Sequence, residues 1–322
     1  MTLHVQVETF LRDIASLPPS HTLEPEELRK VVAGTVISDA YELALTEDRE
    51  VQGPHGHMLL RIYRPLKKGV LPAIVFYHGG GFVICDVEKY DPLCRKLAAV
   101  TECAVVSVDY RLAPEHKFPV AAEEAIFAAR WVAGHCTSLG FDLEKLFVAG
   151  DSAGGNLAAV VAQQVRDEGG PGIAGQILIC PMADFSQEYE SMRLFASGYF
   201  LNRNVLDYFT RHYLHDEADR THPLASPMLG RLAGLPPTLI MTAEYDPVRD
   251  EGEMYGRRLI EAGVKVTLSR YPGMIHGFYA MTDLFDNGHT VYEDIYAFLQ
   301  SIDKRSPRDA RYGVRGRSWA KL

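Results

Sequence analysis

From about residue 37 onward the chain alternates short apolar runs with helix-like stretches, and no other feature constrains its fold as much. Residues 73–77, 103–108, 146–149, 175–180, 238–242 and 264–271 read as strands, with helical patterns at about 90–100, 119–134, 153–168, 249–262 and 291–303 between and after them. Apolar runs too short to be helices, separated by amphipathic helices of roughly 10–15 residues, build βαβ units and a mostly parallel sheet. Residues 37–45 and 58–63 read as an antiparallel pair of strands that opens this sheet. Such a sheet binds ligands beyond the carboxyl ends of its strands. Functional residues are therefore expected just after strands.

Two stretches break the alternation. Residues 1–36 hold helix-like segments before any strand, and 183–222 is too long for a simple crossover. The second is rich in aromatics (Phe185, Tyr189, Phe195, Tyr199, Phe200, Tyr208, Phe209, Tyr213). Most of these are expected to build a local helical core, and a few to line a pocket. We read 1–36 and 183–222 as a helical cap on a catalytic domain formed by 37–182 and 223–303. Between Lys304 and Leu322 seven Lys/Arg residues stand against the single Asp309. That run is either a disordered basic arm or a tail foreign to the fold, and its lack of apolar periodicity favours the second.

The 322-residue length suits one large α/β domain, and the 47% apolar content can fill its core. A net charge of −9 argues against nucleic acid or anionic lipid as a partner. No stretch approaches the ~18–20 uninterrupted apolar residues of a transmembrane helix. Met1 to Pro18 has neither the basic start nor the apolar centre of a secretory signal, so a cytoplasmic location is expected. Cys85, Cys94, Cys103, Cys136 and Cys180 are odd in number and form no C-x-x-C pair. They read as reduced thiols that fill space.

One G-x-S-x-G occurs, Gly150-Asp151-Ser152-Ala153-Gly154, between a strand-like run and a helix-like one. A strained strand-to-helix turn exposes such a serine, and glycines two residues away relieve the crowding. The helix that follows favours negative charge at its start. His78-Gly79-Gly80-Gly81 follows the 73–77 strand, where consecutive glycines let backbone N–H groups approach a ligand. The expected oxyanion hole is the N–H groups of Gly79, Gly80 and Ala153. His78 is expected to shape that loop and not to titrate in catalysis.

A serine hydroxyl needs a base. Among twelve histidines, His276 follows the 264–271 strand in a glycine-flanked loop, whereas His289 sits in a surface-like turn. His212, His215 and Asp216 suggest a metal site only weakly, and we expect none. Glu244, Asp246, Asp250 and Glu251 compete for the acid that orients the base. Pro247 holds Asp246 out of helical geometry, while Asp250 and Glu251 suit a helix start, so Asp246 is assigned.

Together these segments resemble the hormone-sensitive-lipase-like family of bacterial serine esterases. The resemblance rests on His78-Gly79-Gly80-Gly81, Asp109-Tyr110-Arg111-Leu112-Ala113-Pro114-Glu115, Gly150-Asp151-Ser152-Ala153-Gly154, Asp246-Pro247-Val248-Arg249-Asp250-Glu251 and His276-Gly277-Phe278, in the family's order over roughly residues 35–300. It implies an α/β-hydrolase fold with a helical cap and hydrolysis of short-chain acyl esters without a cofactor. Asp151 beside the nucleophile places the chain nearer the family branch with Asp there than the one with Thr. Residues 1–36 and 183–222 carry no family motif. The alternatives are an amide, lactone or aryl-ester hydrolase with the same triad, and a hydrolase-like protein that only binds a small ligand. A receptor of the last kind would typically have lost one of Ser152, Asp246 and His276. Residues 264–270 could also form an exposed sheet edge that pairs two copies of the chain.

Overall fold

A computed structural model describes residues 2–33 and 41–303. The strands are β1 Leu45–Gly53, β2 Gly56–Arg64, β3 Leu71–Tyr77, β4 Ala104–Asp109, β5 Phe141–Asp151, β6 Gly175–Ile179, β7 Thr238–Tyr245 and β8 Val266–Ile275. They form one sheet in the order β1-β2-β4-β3-β5-β6-β7-β8. β2 runs antiparallel to both β1 and β4, and every pairing from β4 to β8 is parallel.

The sheet is covered on both faces, as a parallel sheet must be. Alternation along β3 divides it: Ala73, Val75 and Tyr77 enter one core, Ile74 and Phe76 the other. The first core is closed by α4 (Val120–Leu139), α5 (Ala153–Asp167) and α8 (Arg249–Glu261), the second by α3 (Asp91–Thr101) and α9 (Asn287–Asp303). Full burial of these Val, Ile and Phe side chains contributes about 1.5–3 kcal/mol each.

The strand pattern corrects the opening pair. Residues 37–40 lie outside the described residues, and 41–44 are not strand. β1 instead covers Leu45–Gly53, whose sequence LTEDREVQG is mostly charged or polar. An edge strand with only Val51 buried needs no apolar alternation, so it carries little signal.

Before the sheet come α1 (Val5–Ile14) and α2 (Pro25–Ala33), and α6 (Glu190–Leu194) and α7 (Arg203–Tyr213) lie within 183–222. Arg29 of α2 binds the Val83 and Ala113 carbonyls and pairs with Glu115. His4 N donates to Gly273 O at 3.1 Å, and Phe10 meets Phe200 edge-on. Phe185, Phe195, Tyr208, Phe209 and Tyr213 are buried, while Phe200 is exposed. No helix among the described residues is long and apolar enough to cross a membrane. Cys94, Cys103, Cys136 and Cys180 are buried, Cys85 is half-buried, and all five are free thiols.

Candidate active site

β3 and β5 are neighbours, with Tyr77 opposite Gly150, while the chain leaves β3 for β4 on its other side. At such a reversal of strand order a crevice opens beyond the carboxyl ends. The loop 78–81 and the turn at Ser152 face each other across it, and the β7 and β8 loops bring in the acid and the histidine.

Ser152 has φ 53° and ψ −118°, a left-handed conformation costly for a residue with a Cβ. Neighbouring bonds impose it: Ser152 N donates to Ile179 O at 2.8 Å, and its carbonyl accepts from Met182 N and Asn156 N. The flanking glycines are demanded by space. A Cβ at Gly154 would lie 1.9 Å from Tyr77 O, and one at Gly150 would lie 2.2 Å from Gly154 O. Ser152 occupies the N-cap of α5, where a serine ordinarily accepts a backbone N–H, yet its side chain caps nothing. A serine held in a strained turn and unused as a cap reads as a reactive group more than a structural one.

His276 Nδ1 donates to Asp246 Oδ2 at 2.7 Å. Asp246 is fully buried, and its other oxygen accepts from Val248 N at 3.0 Å. Burial lowers the His276 pKa, but the charges of Asp246 and Asp151 outweigh it and leave it above the ordinary histidine value. The rival carboxylates are engaged elsewhere. Glu244 accepts from Gly273 N, Glu251 from Ala183 N, and Asp250 from Ser191 N. His289 meets Lys96, and His212 donates to the Tyr208 carbonyl. Among the described residues the one cluster of three potential metal-ligating groups is Cys180, Asp246 and His276, where imidazole and carboxylate are already bonded to each other.

The oxyanion loop corrects one expectation. Gly79 N–H donates to Asp151 Oδ1 and the Tyr90 hydroxyl, both at 3.0 Å, so it is spent inside the protein and cannot meet a substrate. The Gly80 carbonyl accepts from Val83 N and Ile84 N, while the N–H groups of Gly80, Gly81 and Ala153 find no acceptor among the described residues. Gly81, which the sequence reading left out, is thus open beside Gly80 where Gly79 is not. Its signal was present in the third glycine, but only the fold shows which two N–H groups are free. His78 stacks on Tyr110 with ring centroids 4.2 Å apart and donates from Nδ1 to Gly79 O at 2.7 Å. Burial pushes its pKa down to about 4, so it stays neutral and shapes the loop.

A parallel sheet with a strained serine after one strand and a carboxylate–histidine pair after two others has the architecture of a serine hydrolase. Comparison with known proteins agrees: residues 74–280 match the family described as alpha/beta hydrolase fold. The chain belongs to that family, within its hormone-sensitive-lipase-like group. It is 43% identical over 238 residues to the carboxylic ester hydrolase LipN of Mycobacterium tuberculosis, a match covering 72% of this chain and 63% of that one. It is 34% identical over 297 residues to the ethyl acetate hydrolase of Pseudomonas putida, covering 89% and 93%. An ester hydrolase from the Lake Arreo metagenome, solved with a bipyridine phosphonate derivative, superposes with a TM-score of 0.90 at 40% identity, covering 94% of this chain and 100% of that one.

Proposed function

We propose that this chain is a serine carboxylesterase that cleaves short-chain acyl esters in two steps. The observation that carries the reading is the 2.7 Å His276–Asp246 bond, set at the same sheet edge as the uncapped Ser152. Ser152 attacks the ester carbonyl while His276 accepts its proton, and Asp246 holds the imidazole and stabilises its charged form. The N–H groups of Gly80, Gly81 and Ala153 receive the developing oxyanion. His276 then protonates the leaving alcohol, and water repeats the sequence to release the acid. Its similarity to a carboxylic ester hydrolase and to an ethyl acetate hydrolase supports this.

Residues 2–33 and 183–222 act as a cap that closes the pocket. Phe209 of α7 packs on Gly81 and Phe200 lies beside Gly277, which supports that role. Each added acyl CH₂ gains about 0.8 kcal/mol until the chain reaches the end wall. The partner is a small ester. A cytoplasmic location suits the five free thiols. The chain pairs with a second copy through β8, which ends the sheet and exposes Leu268; a monomer mass by light scattering at micromolar concentration would refute that pairing.

The direct test is a steady-state series with p-nitrophenyl acetate, butyrate, octanoate and palmitate on wild type and Ser152→Ala. Activity should peak at acetyl to hexanoyl esters, fall steeply by dodecanoyl so that palmitate is cleaved poorly, and drop at least ~10⁴-fold in the variant. Turnover that survives in Ser152→Ala removes the nucleophile. Palmitate cleaved as well as butyrate removes the closed pocket.

A further inference from the structure

Asp151, next to the nucleophile, is the most densely bonded carboxylate in the site. Oδ1 accepts from Gly79 N at 3.0 Å, and Oδ2 accepts from the Tyr90 hydroxyl at 2.7 Å and the Tyr279 hydroxyl at 2.6 Å. These donors come from three places: the loop after β3, the entry to α3, and the turn just past His276. One carboxylate therefore joins the oxyanion loop, the nucleophile's turn and the histidine loop.

Among the described residues it has no Arg or Lys partner. The other titratable groups facing it are the Cys85, Cys94 and Cys180 thiols and the Tyr90, Tyr110 and Tyr279 phenols. Burial raises the pKa of each, so all remain neutral at working pH. The cation it can meet is the imidazolium of His276, which it favours alongside Asp246. An isolated buried carboxylate is costly, and burial pushes its pKa up to about 6 against the three donors and His276. Above that pH it is ionised, where a neutral His276 must act as base.

We propose that Asp151 is a positioning residue for ester hydrolysis. It anchors the Gly79 peptide so that the next two N–H groups point into the oxyanion hole, and its charge stabilises the imidazolium that forms when Ser152 is deprotonated. This rests on the esterase reading above.

The experiment compares pH profiles of kcat/KM for p-nitrophenyl butyrate in wild type, Asp151→Asn and Tyr279→Phe, with melting temperatures alongside. The amide of Asp151→Asn would be neutral and would offer Tyr90 and Tyr279 fewer acceptors. Losing the negative charge makes His276 easier to deprotonate, so the acid limb should move to lower pH by about half a unit or more. The kcat should fall about tenfold or more with KM little changed. Tyr279→Phe keeps the carboxylate but makes it easier to protonate, so the charge is lost at a higher pH and the limb should move up, by less. It carries the test if Asp151→Asn does not fold. A merely structural Asp151 would lower the melting temperature and leave the limb in place, and an unmoved limb in folded variants overturns the proposal. If wild type cleaves no ester at all, the esterase reading has failed instead.

Discussion

The loops that follow β3, β5, β7 and β8 and the segments 5–33 and 183–222 are held in place by different physics. Each loop is pinned by main-chain bonds and strand pairing: Ser152 by Ile179 and Met182, the oxyanion turn by Gly80, Asp246 by Arg249 N. The two outer segments dock largely through side-chain bonds, Arg29 to Glu115 and Ser191 N to the Asp250 carboxylate, alongside scattered main-chain bonds such as His4 N to Gly273 O. Groups fixed by backbone geometry are suited to chemistry that tolerates little misplacement. Groups fixed by side chains can differ without disturbing it. The comparison therefore predicts that changes in the loops act mainly on kcat, and changes in the outer segments act on stability and chain-length preference.

The largest separation should come from the end of β7, where two carboxylates lie four residues apart in sequence, Asp246 bonded to His276 and Asp250 to Ser191 of the outer segment. Asp246→Asn leaves the shape intact but removes the charge behind His276, so kcat should fall about 10³–10⁴-fold. Steady-state kinetics on p-nitrophenyl butyrate measures this. Wild-type kcat in a folded Asp246→Asn protein would mean that another acid serves His276.

That the loops are backbone-determined also explains how much was readable beforehand. The parallel strands announce themselves as short apolar runs, and Ser152, Asp246 and His276 each stand just beyond one, where a sheet of this class keeps its chemistry. Sequence is silent where a residue's role depends on partners remote along the chain. Gly79 and Gly80 look identical in a glycine run; only Asp151 and Tyr90, closing on Gly79 from elsewhere, distinguish them. Asp151 itself looked like a family marker, because Tyr279 lies 128 residues away. β1 was misplaced because its outer edge and polar faces impose no pattern.

A smaller effect tests the contact between the two regions. Gly81 has φ +60°, and a Cβ there would lie 2.2 Å from the Phe209 ring on α7. Gly81→Ala should therefore displace one oxyanion donor and lower kcat on the order of 10²-fold. Phe209→Ala opens the space, so the double variant should recover part of that loss even though it removes a buried ring. Strict additivity would show that Phe209 does not press on the oxyanion loop, and the two regions would be independent at this point.

The smallest expected effect belongs to Asp250, at the start of α8. Its carboxylate accepts from Ser191 N at 2.8 Å and Arg249 Nε at 2.8 Å, while Asp250 N donates to Ser191 Oγ at 3.1 Å. Burial raises its pKa, but the Arg249 and Ser191 bonds outweigh that and leave it below the usual aspartate value. A carboxylate with a lowered folded pKa stabilises the protein above its unfolded pKa, and that stabilisation is lost as pH falls through the folded one. Asp250→Asn keeps an acceptor for Ser191 and loses the charge, which should cost about 1 kcal/mol near neutral pH. A melting temperature a few degrees lower is the readout. The gap from wild type should begin to narrow as pH drops below about 4, where the unfolded carboxylate protonates, and close as pH falls through the lower folded value. The kcat for p-nitrophenyl acetate should stay within about threefold, because the His276–Asp246 bond is untouched. A loss of kcat as large as that of Asp246→Asn, with melting unchanged, would place Asp250 in the chemistry and erase the division between loops and outer segments.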